Sequence, residues 1–188
     1  MDNNLVVDAL TALPKLMAEC IRLLKEGEAN RERFFNNGVT PLQNACDTLY
    51  KDHVDTLESV FKLIENGDQG EAKKIATQAI IFQQGNTDML SELVYASSKV
   101  NIRGELGELF YKYTRSTSEI LLIPDEFYAY ALQARFMPLR IGVYTELEKL
   151  LYSLTATSAD VAIIMNSLSS WYRIVIGNYN DLRVYCLK

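Results

Sequence analysis

The single histidine of the chain, His53, is its most obvious candidate for acid–base or metal chemistry. His53 lies between Leu49 and Leu57, in a segment whose apolar residues repeat every three to four positions. Metal sites in helical bundles usually combine paired Glu-x-x-His motifs or two histidines, which one histidine cannot supply. We therefore predict that His53 is a half-buried structural residue, and we predict no metal site.

The three cysteines are Cys20, Cys46 and Cys186, which are far apart and form no C-x-x-C pair. Free thiols in a reducing compartment are the simplest interpretation. Cys46 precedes His53 by seven residues, or ~10 Å along a helix, which is too far for a direct hydrogen bond. We therefore predict no catalytic residue and no cofactor. A pocket for a small molecule or an enzymatic reaction around His53, Cys46 and Tyr50 is the third hypothesis for function.

The motif Gly104-Glu105-Leu106-Gly107-Glu108 superficially resembles a glycine-rich loop. A phosphate-binding loop needs a lysine and a preceding strand, and two carboxylates would repel a phosphate. Glycine inside a helix costs ~1 kcal/mol, so the pattern predicts a helix break near residues 101–104 or a close helix crossing there.

Tyrosine and arginine, which are enriched at protein interfaces, characterise the second half of the chain. Ten of the eleven tyrosines follow residue 94. We predict a non-enzymatic protein-interaction module (an adaptor, an assembly subunit or an inhibitor of another protein) that associates with itself or a partner through this half. The candidate interface residues are Tyr128, Tyr130, Arg135, Arg140, Tyr172, Arg173, Tyr179 and Arg183.

Nucleic-acid binding by the same C-terminal arginines and tyrosines is the alternative hypothesis, because such side chains can stack bases and hold phosphates. The charge distribution argues against it. The chain has a net charge of −5, and residues 1–94 carry 9 basic and 15 acidic side chains. Phosphate binding needs clustered Lys and Arg, and the sequence contains no basic run.

The elements that position these residues are predicted to be long helices. Only 4 prolines and 9 glycines occur in 188 residues, so few turns are encoded. Apolar residues recur every three to four positions along most of the chain. We predict an all-α fold of six to seven helices in a mostly antiparallel bundle. Residues 1–188 are expected to form one domain, with a possible sub-boundary near 101–104.

The predicted helices begin and end at capping residues, glycines and prolines. Thr40 is expected to cap the second helix, ahead of Pro41 and Gln43. Pro14 is expected to kink or divide the first helix. The predicted ranges are 2–26, 40–65, 68–83, a helix from Thr87 with a break near 101–104, 124–137, 139–155, and a helix from Ser158 with an unassigned tail over 179–188.

Residues 28–39 are predicted to be a short polar segment that ends in the breaker Asn36-Asn37-Gly38. Phe34 and Phe35 stand beside that breaker, outside any amphipathic pattern. Two hypotheses account for them: they plug the end of the bundle, or they dock a partner.

Hydropathy and the N-terminal residues predict a cytoplasmic protein. No stretch of 18 uncharged apolar residues occurs, so no transmembrane helix is expected. The first residues contain no basic stretch followed by an apolar one, so no signal peptide is expected.

Overall fold

A computed structural model describes residues 3–85, 95–96, 98–100, 103–121, 152 and 156–188 of the chain. Within these ranges the backbone forms helices and turns and no strand, which confirms the all-α prediction. The long helices are α1 (Asn3–Leu24), α2 (Thr40–Glu65), α3 (Gln69–Gly85), α4 (Gly104–Leu121) and α5 (Ser158–Cys186).

Five long helices in the described part are fewer than the six to seven predicted. The predicted helices over 124–137 and 139–155 lie outside the described residues, as does the predicted start at Thr87. The antiparallel arrangement stays a prediction. Among the described residues no helix is both long enough and apolar enough to span a bilayer.

Of the predicted capping residues Thr40, Asp68 and Ser158, only Asp68 caps its helix as predicted. Asp68 caps α3, because its Oδ1 accepts a hydrogen bond from the Glu71 amide at 3.1 Å. At α5 the cap is Thr157 rather than Ser158. Asp160 Oδ2 accepts from the Thr157 amide at 2.8 Å, and Thr157 Oγ1 accepts from the Asp160 amide at 3.4 Å. This reciprocal pair has the arrangement of a capping box. The unassigned tail continues α5 as far as Cys186.

The segment between α1 and α2 corrects the prediction of a break. Residues Glu28–Asn30 form a 3₁₀ turn, Arg31–Phe34 an α-helical turn and Phe35–Val39 a π-helix. The π-helix runs directly into α2, and Thr40 has helical φ and ψ of −62° and −47°, so it is not an N-cap. Pro41 explains the π-helix. Its ring would clash with the carbonyl four residues earlier in a regular α-helix, and the wider π-turn relieves that clash.

Proline and glycine act differently at two other predicted interruptions. The helix α1 continues through Pro14, so this proline does not divide it. Gly104 has a φ of +73° and begins α4, whereas Gly107 lies inside that helix. The predicted break near 101–104 is therefore present, and the left-handed backbone at Gly104 accounts for the glycine there.

The chain divides into two compact units. The first contains Met1–Tyr50, Asp88–Leu121 and Trp171–Lys188, and the second contains Lys51–Thr87 and Leu122–Ser170. A single domain over residues 1–188 stays a prediction.

Phe34 lies at the centre of the core of the first unit, where it is fully buried. Its ring meets Phe110 of α4 edge-to-face, with centroids 5.1 Å apart and planes at 84°. Phe35 is also buried, so both phenylalanines pack inside the fold. Gly38 permits a close approach to α1, because a Cβ at this position would lie 3.2 Å from Cys20 Sγ.

The second unit has a smaller described core of aliphatic side chains. In α2, Leu57, Val60 and Ile64 are buried, as the predicted apolar repeat requires. At its edge Gln69 Nε2 donates to the Ala156 carbonyl at 3.4 Å.

Candidate functional site

The last part of α5 presents two faces within the first unit, one buried and one exposed. Val175, Leu182 and Cys186 are buried, at steps of seven and four residues. Asn178 joins this face to α4, because its Nδ2 donates to Ser116 Oγ at 3.0 Å and to the Lys112 carbonyl at 3.3 Å. The buried face therefore fixes the rotation of α5 and determines which side chains remain exposed.

Tyr172 and Tyr179, two of the predicted interface residues, pack against other helices of the same unit. The Tyr179 ring lies 5.3 Å from Phe35 and 6.1 Å from Tyr113, measured between centroids. Its hydroxyl lies 3.5 Å from Thr40 Oγ1. Both tyrosines are only partly exposed. Their main described contacts are therefore internal.

Tyr172 forms a polar cluster with three residues of α2, and we call it the Tyr172 cluster. The three residues are Gln43, Asp47 and Tyr50. The Tyr172 hydroxyl donates to Asp47 Oδ1, and its ring stacks on Tyr50 with centroids 3.7 Å apart. Gln43 Nε2 donates to Asp47 Oδ1 and to the Tyr172 hydroxyl. Burial and the neighbouring carboxylate raise the pKa of Tyr172. The cluster fixes α5 to α2 and holds Tyr172 as a neutral donor.

Tyr113 of α4 lies fully buried beside the thiols of Cys20 and Cys46. Within the described residues its hydroxyl makes no hydrogen bond, although Cys46 and Thr117 are close. Thr117 Oγ1 donates to the Tyr113 carbonyl at 2.9 Å instead. Burial raises the pKa of both thiols, whereas a reactive cysteine needs a lowered pKa. The arrangement is suited to packing and not to nucleophilic attack.

Replacement by phenylalanine is expected to affect stability differently at Tyr113 and at Tyr172. Tyr113→Phe removes a buried hydroxyl without a partner, so the free energy of unfolding should stay the same or rise by up to about 1 kcal/mol. Tyr172→Phe removes a hydrogen bond to a carboxylate, so the free energy should fall by about 1–2 kcal/mol. Urea denaturation measures both, with the exposed Tyr95→Phe as the control. A larger loss at Tyr113 than at Tyr172 would contradict the assignment of these two hydroxyls.

His53 lies in the second unit and is partly exposed. Burial lowers its pKa to about 4, so the imidazole is neutral near pH 7. The expectation of a half-buried histidine agrees with this position. Cys46 and Tyr50 belong to the first unit, so the residues of the third hypothesis are divided between the two units.

The exposed side of α5 is centred on Gly177, and we call it the Gly177 face. Each residue of this face lies within about 60° of Gly177, measured around the helix axis at 100° per residue. Ile174 is 48% and Val184 53% exposed. A Cβ built at Gly177 would meet no atom of the described part of the chain within 4 Å. The residues of the Gly177 face are Arg173, Ile174, Gly177, Asn180, Asp181 and Val184, all exposed.

Of the six other predicted interface residues, two are described by the structure and four are not. Arg173 is exposed on the Gly177 face, and Arg183 is exposed about 120° around the helix from Gly177. Asp181 and Gly177 of the Gly177 face were not predicted from the sequence. The signal for both was a pair of opposite charges placed four residues either side of a glycine. Outside the described residues lie Tyr128, Tyr130, Arg135 and Arg140.

In the described part of the chain, no group of three or more His, Cys, Asp or Glu side chains is placed to hold a metal ion. Comparison of the whole chain with family models, with curated proteins and with solved structures finds no match.

Proposed function

We propose that this protein is a non-enzymatic protein-interaction module and that the Gly177 face is its docking surface. The observation that carries the proposal is the composition of that face. Two β-branched apolar side chains, Ile174 and Val184, are exposed beside Arg173 and Asp181. Arg173 and Asp181 form no ion pair within the described residues. Exposed apolar side chains bordered by unpaired charges are typical of a protein-binding surface.

The ionisable groups of the described units support a non-enzymatic function. Cys20 and Cys46 have raised thiol pKa values, so neither is an activated nucleophile. The lowered pKa of His53 makes it a weaker base than an ordinary histidine. The Tyr172 and Asp47 side chains bond to each other, as parts of a structural contact.

Retention of bound protein by the immobilised full chain tests the proposal. Extract from the native cells is passed over the wild type and over the double variant Ile174→Asp/Val184→Asp. The matched control, Leu5→Asp/Ile81→Asp, changes two exposed apolar residues on α1 and α3. Unchanged circular dichroism establishes that each variant is folded.

The proposal predicts a retained protein, whether a different chain or a second copy, that the first double variant loses and the control keeps. Equal retention by both double variants would contradict the Gly177 face as the docking surface. The absence of any bound protein on the wild type, together with a strictly monomeric chain, would contradict the interaction function itself.

A further inference from the structure

We propose that the partner of the Gly177 face is a second copy of this chain, whose α5 crosses the first in antiparallel orientation at Gly177. The inference rests on the proposed function, because it identifies the occupant of the same surface. Three features of the face carry it: a glycine at the centre, opposite charges at equal distances from it, and apolar side chains beside it.

The glycine permits a close approach of two helices. Interaxial distances are set by the side chains at the point of contact, and glycine has none. Open space surrounds the position that a Cβ of residue 177 would occupy, so no neighbour among the described residues requires a glycine there. Glycine in an exposed helix interior costs ~1 kcal/mol relative to alanine. A contact that uses the missing side chain would offset this cost.

The charges determine the orientation. Arg173 and Asp181 each lie four residues from Gly177, or ~6 Å along the axis, in opposite directions. A twofold axis at Gly177 therefore brings Arg173 of each copy level with Asp181 of the other, which forms two ion pairs. A parallel pair would place Arg173 beside Arg173 and Asp181 beside Asp181, and like charges repel. Charge complementarity thus favours the antiparallel pair.

The apolar residues fit the same symmetry. Ile174 lies three residues before Gly177, so the twofold axis places it level with Asn180 of the second copy. Val184 of the second copy lies one helical turn beyond that Asn180, on the same face. Both aliphatic side chains are about half exposed in one copy and lose solvent contact in the pair. One helix crossing buries less than the ~1,200 Å² of standard interfaces, so the association is expected to be weak, with a dissociation constant on the order of micromolar or above.

Charge reversal tests both the partner and its orientation. Sedimentation equilibrium of the full chain is measured at concentrations up to several hundred micromolar. Arg173→Glu and Asp181→Arg are each expected to raise the dissociation constant by roughly tenfold or more, because each creates two like-charge contacts. The double variant Arg173→Glu/Asp181→Arg should restore it to within about threefold. Arg183→Glu makes the same charge change on another side of α5 and should leave it unaltered.

The outcomes separate this inference from the proposed function. A dimer that the double variant fails to restore would contradict the antiparallel crossing. A chain that is monomeric at every concentration would contradict the second copy as partner. In that case a protein retained from the extract through Ile174 and Val184 would still support the docking function of the Gly177 face.

Discussion

Replacing Phe34 with alanine is expected to lower the free energy of unfolding by about 3–5 kcal/mol, a large share of the stability of an ordinary domain. Phe34 has no solvent exposure and meets Phe110 edge-to-face. Truncation removes the ring from the core, leaves a cavity and ends the aromatic contact, which itself contributes about 0.5–1.5 kcal/mol.

Chemical denaturation followed by tryptophan fluorescence measures this loss. The single tryptophan, Trp171, lies in the same unit as Phe34 and therefore reports its unfolding. The matched control is Phe82→Ala in α3, because the Phe82 side chain is 38% exposed. The control is followed by circular dichroism and should lose markedly less stability. Comparable losses at the two positions would contradict the assignment of Phe34 to the centre of the core.

Acidification from pH 6.5 to pH 4 is expected to destabilise the protein through His53. Burial lowers the pKa of His53 in the folded state to about 4, against an ordinary value of 6.5. The unfolded state therefore binds the proton more tightly, and the free energy of unfolding falls as the pH drops between these two values. At ~1.4 kcal/mol per unit of pKa, the loss of stability is at most about 3 kcal/mol, because the His53 side chain keeps some solvent contact. This loss disappears as the pH rises above 6.5, where His53 is neutral in both states.

The histidine contribution is isolated by comparing wild type with His53→Gln over the same pH range. The pKa of Asp52 is raised by burial and by Asp55, so its protonation gives a slope of the opposite sign. That slope is present in both proteins and cancels in the difference. The wild type should lose about 2–3 kcal/mol more than the variant between pH 7 and pH 4. Parallel pH profiles would show that His53 titrates normally in the folded protein.

Periodicity predicted the parts of the fold that depend on one helix at a time. The repeat in α2 placed Leu42, Cys46, Leu49, His53, Leu57, Val60 and Ile64 on one face. All of them are buried except His53, which is partly exposed. Spacing alone determines this result, because residues three to four apart share a side of a helix. A local capping signal, Asp68 followed by Glu71, likewise predicted the start of α3.

The connection between α1 and α2 was not predictable in this way. Asn36-Asn37-Gly38 is normally a breaker, yet here it forms a π-helix that continues into α2. Two causes act together: Pro41 excludes a regular α-turn, and Gly38 packs closely against Cys20 of α1. The second cause is a contact between residues distant in sequence, which periodicity does not reveal.

The candidate site was only partly predictable for a related reason. Composition identified the second half of the chain as rich in tyrosine and arginine, but not which side chains of α5 face inwards. Tyr172 and Tyr179 are seven residues apart, and they lie beside the buried residues Val175 and Leu182, which have the same spacing. Those two residues determine the rotation of α5. Their position leaves Gly177 at the centre of the exposed side.

Sedimentation velocity of wild type and Gly177→Leu decides whether the missing side chain at residue 177 is used for association. We expect the wild type to change from monomer to dimer as its concentration rises. Gly177→Leu should remain monomeric, with its free energy of unfolding raised by roughly 0.5–1 kcal/mol because leucine is the better helix former. Dimerisation of Gly177→Leu as tight as that of the wild type, or no dimer in either protein, would contradict the binding of a second copy by this face of α5.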